Sequence, residues 1–300
     1  MSAPTAVRTE PVDASRPSSG TRVPWRSGTS QALFAVALVL LWVIAYVLLL
    51  SGLEQRHAQR RLYDQLRTEL ALGTAPTGAP IASGHPVSLL DIPAIGVSSL
   101  VVVEGIRAEQ LVEAPGHAPG SVLPGQQGTS VILGKGLTYG APFGHLDQLR
   151  VGDPIAVTTA QGRFVFHVSG TRRAGATSPA APAAGSARLT LVTASGRGRG
   201  GALRPSETFY VDADLVGTSV ARGVMSGPDP DGVPMTSKVS AGLLAQLVLA
   251  LQLLTLVVGG VVWAWHRWSE RAAWLVGAPA VIASVWLASS LAGRLIPGLI

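Results

Sequence analysis

The absence of one residue type limits the chemistry that this chain could carry out. None of the 300 residues is a cysteine, which excludes a thiolate nucleophile, a cysteine metal ligand and a disulfide. The six histidines and the acidic residues form no set with the spacing of metal ligands. We therefore predict no metal site and no cofactor.

Ser195 and Lys135 are one candidate pair for acyl transfer, with the serine as nucleophile and the lysine as base. The alternation of side chains along a strand disfavours this pair. If the strand predicted over 188–193 continues, Ser195 faces away from the side that Ala194 occupies. A turn beginning at Gly196 would rotate the hydroxyl back.

Lys135 lies between Gly134 and Gly136. Glycines on both sides allow the backbone to approach a ligand closely, or simply to turn. We favour the second interpretation, in which Lys135 is a solvent-exposed loop residue, because most lysines are exposed.

Two clusters of arginines border long loops rich in Gly, Ala, Pro and Ser. The residues are Arg172, Arg173 and Arg188 around one loop and Arg197, Arg199 and Arg204 within the other. The interpretation that we favour is flexible, solvated side chains. The alternative is a rim that binds anions or carboxylates, since arginine pairs readily with such groups.

The middle of the chain alternates short β-branched runs with Gly and Pro, which predicts a mostly-β barrel or sandwich. The predicted strands cover 87–92, 100–104, 130–133, 154–159, 163–168, 188–193 and 209–215, and one short helix covers 107–113. A hairpin is expected at Gly162, because a tight connection often needs its positive φ.

Three long uncharged stretches predict transmembrane helices at 31–52, 239–265 and 272–292. Residues 1–30 read as a disordered cytoplasmic tail, 53–85 as a membrane-proximal helix and linker, and 218–238 as a second linker. The net charge of +6 arises outside the β region, since residues 85–217 carry ten Lys and Arg against nine Asp and Glu. Nucleic-acid binding is therefore not expected.

The segment 114–143, APGHAPGSVLPGQQGTSVILGKGLTYGAPF, resembles the sortase family, especially its actinobacterial class E type. Four further motifs follow the family order: LDIPAIG at 90–96, LDQLRVGD at 146–153, LTLVT at 189–193 and YVDADL at 210–215. The resemblance covers 86–217. It implies an eight-stranded β-barrel outside the cell membrane.

Sortases join secreted proteins to cell-wall precursors or pilin subunits at an LPxTG-like signal, using a cysteine, a histidine and an arginine. The resemblance places these three roles at Ala194, Lys135 and Thr208, so none of the three catalytic residues is intact. His117 matches a family histidine that is not catalytic, and we expect it to be structural. In this fold the two arginine clusters would border the peptide groove.

The sequence therefore predicts a membrane-anchored sortase-like pseudoenzyme of the cell envelope that acts as a binding or scaffolding module. The alternative is an active transpeptidase or hydrolase that uses Ser195 with Lys135. The expected partners are secreted or wall-anchored proteins, or an active sortase. The expected location is the cell membrane, with several spans and the barrel extracytoplasmic.

Overall fold

The computed structural model describes residues 51–195, 207–225, 227, 241–267 and 270–293. The elements in chain order are α1 (Ser51–Leu72), β1 (Pro86–Ile92), a 3-10 turn (Pro93–Ile95), β2 (Val97–Glu104), α2 (Ala108–Glu113), β3 (Gly116–His117), β4 (Gly128–Leu133), a second 3-10 turn (Leu146–Gln148), β5 (Pro154–Thr159), β6 (Gly162–Arg173), β7 (Ala187–Ser195), β8 (Glu207–Val216), α3 (Ala241–Arg267) and α4 (Glu270–Gly293).

The eight strands close into one barrel in the order β1-β2-β3-β4-β7-β8-β6-β5. The pairs β2–β3 and β4–β7 are parallel and the other pairs are antiparallel. The prediction of a mostly-β, eight-stranded barrel is confirmed. The predicted strands lie within seven of the observed ones, and β3 supplies the eighth from two residues that alternation alone does not reveal.

Apolar side chains on alternate strand positions fill the barrel. Leu189 and Leu191 of β7 face inward with Val211 and Ala213 of β8, and all four are fully buried. Fully burying a side chain such as leucine stabilises the fold by about 1.5–3 kcal/mol. The intervening residues of β7 and β8 therefore lie on the outer face of the barrel.

The hairpin between β5 and β6 turns where it is predicted. Thr159 pairs with Gly162, whose φ of +131° lies in a region that glycine adopts without strain.

The helix α1 packs against the barrel. Leu62 and Leu66 are buried in a cluster that includes Val101 of β2. The Gln59 amide donates to the Val101 carbonyl at 3.1 Å, and its carbonyl oxygen accepts from the Val101 N–H at 2.8 Å. The predicted helix is present and is docked along the barrel.

Parts of both predicted linkers are also held on the barrel. Gln126 donates to the carbonyl of Thr77 at 2.8 Å and accepts from the N–H of Gly223 at 3.0 Å. Val220 forms backbone hydrogen bonds with Gly125 and Gln127. The segments that flank the barrel on its two sides therefore meet at one loop.

One helix in the described part of the chain is long and apolar enough to cross a membrane, within Leu244–Val261 of α3. Within the described residues of α4, the apolar stretch covers Gly277–Leu291, which is shorter than a span requires. Residues 31–50 of the first predicted span lie outside the described residues. The described residues thus contain one candidate span, where the sequence predicts three.

Candidate functional site

The ends of β7 and β8 bring two of the predicted site positions together. Ala194 and Thr208 are directly opposite each other in the antiparallel ladder. Both lie on the outer face, because the inward residues alternate with them. Thr208 is buried and Ala194 is half-buried.

The loop after β4 brings the third position to the same place. The N–H of Gly134 donates to the Val192 carbonyl at 3.0 Å, and the Thr193 hydroxyl donates to the Gly134 carbonyl at 3.0 Å. A Cβ atom on Gly136 would lie 2.7 Å from the Ala194 carbonyl oxygen. Glycine is therefore required at position 136 for this close approach. The backbone at Gly134 and at Gly136, on either side of Lys135, packs against the end of β7.

Lys135 is buried, with only 1% of its surface exposed. The prediction of an exposed loop lysine is wrong. Its Nζ lies 5.1 Å from the centre of the Tyr139 ring, within the range of a cation–π interaction. Burial lowers the pKa of the Lys135 amine from 10.5 to about 8, because desolvation penalises the charged form.

The turn that carries Tyr139 has an unusual backbone. Tyr139 and Ala141 have φ values of +52° and +46°, and Gly140 between them has +74°. The Ala141 N–H donates to the Thr138 carbonyl at 3.0 Å and closes the turn. A left-handed conformation at a residue other than glycine costs about 1–2 kcal/mol, so packing must hold this turn in place.

Ser195 is the last residue of β7, and its backbone pairs with Glu207. The strand therefore continues through this position, as the alternation argument assumed. Arg197, Arg199 and Arg204 lie outside the described residues. Their predicted place on a groove rim stays a prediction.

The other three arginines form ion pairs along β6, β7 and β8. Arg172 Nε lies 2.8 Å from Asp212 Oδ2, and the Arg172 guanidinium stacks 4.0 Å from the centre of the Tyr210 ring. Arg188 Nε lies 2.7 Å from Asp214 Oδ1. An incoming anion would have to compete with these carboxylates for the guanidinium groups.

Arg173 is held more loosely, with Nη1 3.6 Å from Glu207 Oε2. These three arginines are therefore paired, unlike the solvated side chains that the sequence favoured. The alternative, an anion-binding rim, stays a prediction.

His117 and Glu104 form a buried pair that the sequence did not single out as a pair. His117 Nδ1 lies 2.7 Å from Glu104 Oε2, and Nε2 lies 2.9 Å from the Val122 carbonyl oxygen and 3.0 Å from Ser121 Oγ. Ser121 Oγ itself donates to the Ala118 carbonyl. Both ring nitrogens have partners in the barrel, which fits the structural role expected for His117.

This arrangement has the distances of a Ser–His–Glu triad but lacks its chemistry. The Ser121 proton is directed to a backbone carbonyl, and His117 Nε2 also contacts a carbonyl, which accepts a proton and cannot give one. The signal that the sequence offered was Glu104 itself, a carboxylate at the end of the apolar run VVVE.

Among the described residues, no group of three His, Cys, Asp or Glu side chains could hold a metal ion. The absence of a metal site and of a cofactor stays a prediction.

Comparison with known proteins identifies the domain. The family model for the Sortase domain matches residues 90–213. No curated protein is detectably similar in sequence. Among solved structures, the chain is similar to a Sortase D5 transpeptidase from Clostridium perfringens, with 24% identity, a TM-score of 0.42, and coverage of 54% of this chain and 99% of that one.

The chain is also similar to sortase E from Streptomyces avermitilis, with 24% identity, a TM-score of 0.37, and coverage of 46% of this chain and 93% of that one. A sortase from Actinomyces oris gives 24% identity and a TM-score of 0.38 over 47% of this chain and 85% of that one. The match of residues 90–213 to the Sortase domain model and the closed eight-stranded barrel agree with the motif resemblance.

Proposed function

We propose that this sortase domain is a pseudoenzyme that binds peptides or partner proteins at the cell envelope without joining them. The observation that carries the proposal is the residue set at the end of β7. Ala194, Lys135 and Thr208 stand together where the family resemblance places a cysteine, a histidine and an arginine. The chain has no cysteine that could take over the reaction from another position.

The chemistry of acyl transfer explains why these replacements matter. The nucleophile must attack a carbonyl, a general acid must protonate the leaving amine, and a cation must stabilise the oxyanion. Alanine has no nucleophilic atom, and the threonine carries no charge. Residues that act as a unit are also lost as a unit.

The proposal includes a place in the cell. We assign the chain to the membrane through α3, with α4 and residues 31–50 as further candidate spans, and the barrel to the extracytoplasmic side. The class E resemblance, the actinobacterial origin and a scaffolding role toward secreted proteins, wall-anchored proteins or an active sortase belong to the same proposal.

Protease added to intact spheroplasts should digest residues 86–217. A protected barrel with a cleaved N-terminal tail would invert this topology.

One observation favours a second candidate function, an active enzyme with Ser195 as nucleophile. Burial lowers the pKa of the Lys135 amine to about 8, so the neutral base is far more populated near physiological pH than in an ordinary lysine. A neutral lysine is the base that a serine nucleophile requires. The backbone of Lys135 also lies beside the end of β7.

A mass-spectrometric trap separates the two functions. The full-length protein is incubated with an LPxTG-type peptide or a fluorophosphonate, and the intact mass and the peptide map are measured. The pseudoenzyme proposal predicts no acyl or phosphonyl adduct. An adduct on Ser195 that is lost in Ser195→Ala and retained in the control Ser98→Ala, an exposed serine of β2, would establish the second function.

A further inference from the structure

The first two turns of α1 contact the turn that covers Lys135. A Cβ atom on Gly52 would lie 3.5 Å from the Cα of Gly140, and a Cβ atom on Gly140 would lie 2.2 Å from Gln55 Oε1. The helix and the 138–141 turn therefore touch through two glycines and one glutamine. The same turn carries Tyr139, whose ring lies over the Lys135 amine.

The contact is close but poorly satisfied. Gln55 is 6% exposed, and its Nε2 has no hydrogen-bond partner among the described residues. Leaving a buried donor unsatisfied costs free energy. The left-handed conformations of Tyr139 and Ala141 add to that cost.

The rest of α1 is held firmly by comparison. Gln59 makes two hydrogen bonds to Val101, and Leu66 is fully buried against the barrel. Local opening is easiest where few favourable contacts are lost. The helix is therefore anchored in its middle and weakly held at its start, where it meets the 138–141 turn.

We propose that the start of α1, through Gln55 and Gly140, is a latch that holds the 138–141 turn and Tyr139 over Lys135, and that release of the latch exposes the Lys135 amine. The helix α1 follows directly on residues 31–50. A mechanical force or a binding partner that acts on the N-terminal end of α1 would therefore change the exposure of Lys135 through this contact. The proposal concerns access to the amine and does not depend on whether the domain catalyses a reaction.

The sequence makes the amine easy to follow, because Lys135 and Lys238 are the only two lysines in the chain. The experiment measures acetylation of Lys135 by an N-hydroxysuccinimide ester in the full-length protein at fixed pH. Peptide mapping by mass spectrometry gives the rate, and Lys238 serves as the internal reference for reagent activity.

Two variants open the latch and one is its control. Gln55→Ala removes the buried side chain that packs against the turn and leaves a cavity in its place. Gly140→Ala places a methyl group against Gln55 in a left-handed conformation. Gln65→Ala removes an exposed glutamine from the same helix, where it donates to Glu69. Loss of the latch should raise the Lys135 rate about tenfold, in proportion to the population of the open state, and Gln65→Ala should leave it unchanged.

The result that overturns the proposal is a Lys135 rate in folded Gln55→Ala that equals that of the unsubstituted protein. An equal rise in Gln65→Ala would also overturn it, since that outcome indicates general loosening of the helix. If Gly140→Ala does not fold, hydrogen exchange of the 138–144 amides in Gln55→Ala replaces it. Faster exchange there, with unchanged exchange at Val101, supports the latch, and unchanged exchange refutes it.

Discussion

His117 precedes β4 and Lys135 follows it in sequence. Both side chains are buried, but their surroundings differ. The His117 ring meets a carboxylate and a backbone carbonyl at hydrogen-bond distance. The Lys135 amine faces the Tyr139 ring, and desolvation lowers its pKa. One region is a polar network built for stability, whereas the other maintains a charged group at a cost. Costs of this kind are commonly found at functional sites.

The largest effect is expected at the His117 network. Glu104→Ala leaves a buried imidazole without its carboxylate, and breaking a buried pair in this way destabilises a protein by about 3–5 kcal/mol. Urea unfolding of the full-length protein in detergent measures the loss. The control Asp147→Ala removes an exposed carboxylate and should change the stability by less than about 0.5 kcal/mol. Equal losses in the two variants would remove the contrast.

The Lys135 amine should lower the stability of the fold when it is charged, whereas the His117 network raises it. Its amine has a pKa of about 8 in the fold and 10.5 in the unfolded chain. The unfolded chain therefore binds more protons between these values, and stability should rise with pH from about 8 to about 10.5, by about 3 kcal/mol in total.

Lys135→Met should abolish this rise, because it removes the titrating group while conserving most of the volume. The difference between the two proteins cancels all other titrations. The measurement is urea unfolding of both proteins across this pH range. A rise that persists unchanged in Lys135→Met would show that the fold does not lower the pKa of the Lys135 amine.

A smaller effect is expected where the Lys135 loop meets β7. Gly136→Ala would place a methyl group 2.7 Å from the Ala194 carbonyl oxygen and 2.8 Å from Thr193 Oγ1. Overpacking of this kind costs about 1–3 kcal/mol. Gly170→Ala is the matched control, because a Cβ atom there meets nothing within 4 Å. Thermal unfolding that ranks the two variants equally would mean that the loop is not pressed against β7.

The sequence predicts the strands of this barrel well because alternation is a local property. The alternating positions of Leu189 and Leu191 indicate which face of the strand is buried, and Gly162 indicates the hairpin. The burial of Lys135 is not local, because its loop packs against β7, which is distant in sequence. The flanking glycines did carry a signal, since a glycine pair permits close approach as well as turning. The Glu104–His117 pair was not predicted for the same reason, because it joins β2 to β3 and the sequence pattern of one strand does not reveal contacts with another.

Family resemblance supplied what physical pattern could not. Ala194 and Thr208 have no property that marks them as site residues, and only their register against known motifs selected them. The ladder then places them side by side. The spans were predicted from length and lack of charge, and α3 contains the one helix of the described residues that meets this test.

The central claim is that the end of β7 has the geometry of a sortase site without its chemistry, and transpeptidation by restored variants tests it most directly. The assay combines an LPxTG-type peptide, an amine acceptor and the full-length protein, and it measures the ligated product. We predict product from Ala194→Cys/Lys135→His/Thr208→Arg and none from the unsubstituted protein or from Ala194→Cys alone. Turnover by the unsubstituted protein that is lost in Ser195→Ala and retained in Ser98→Ala would contradict the claim.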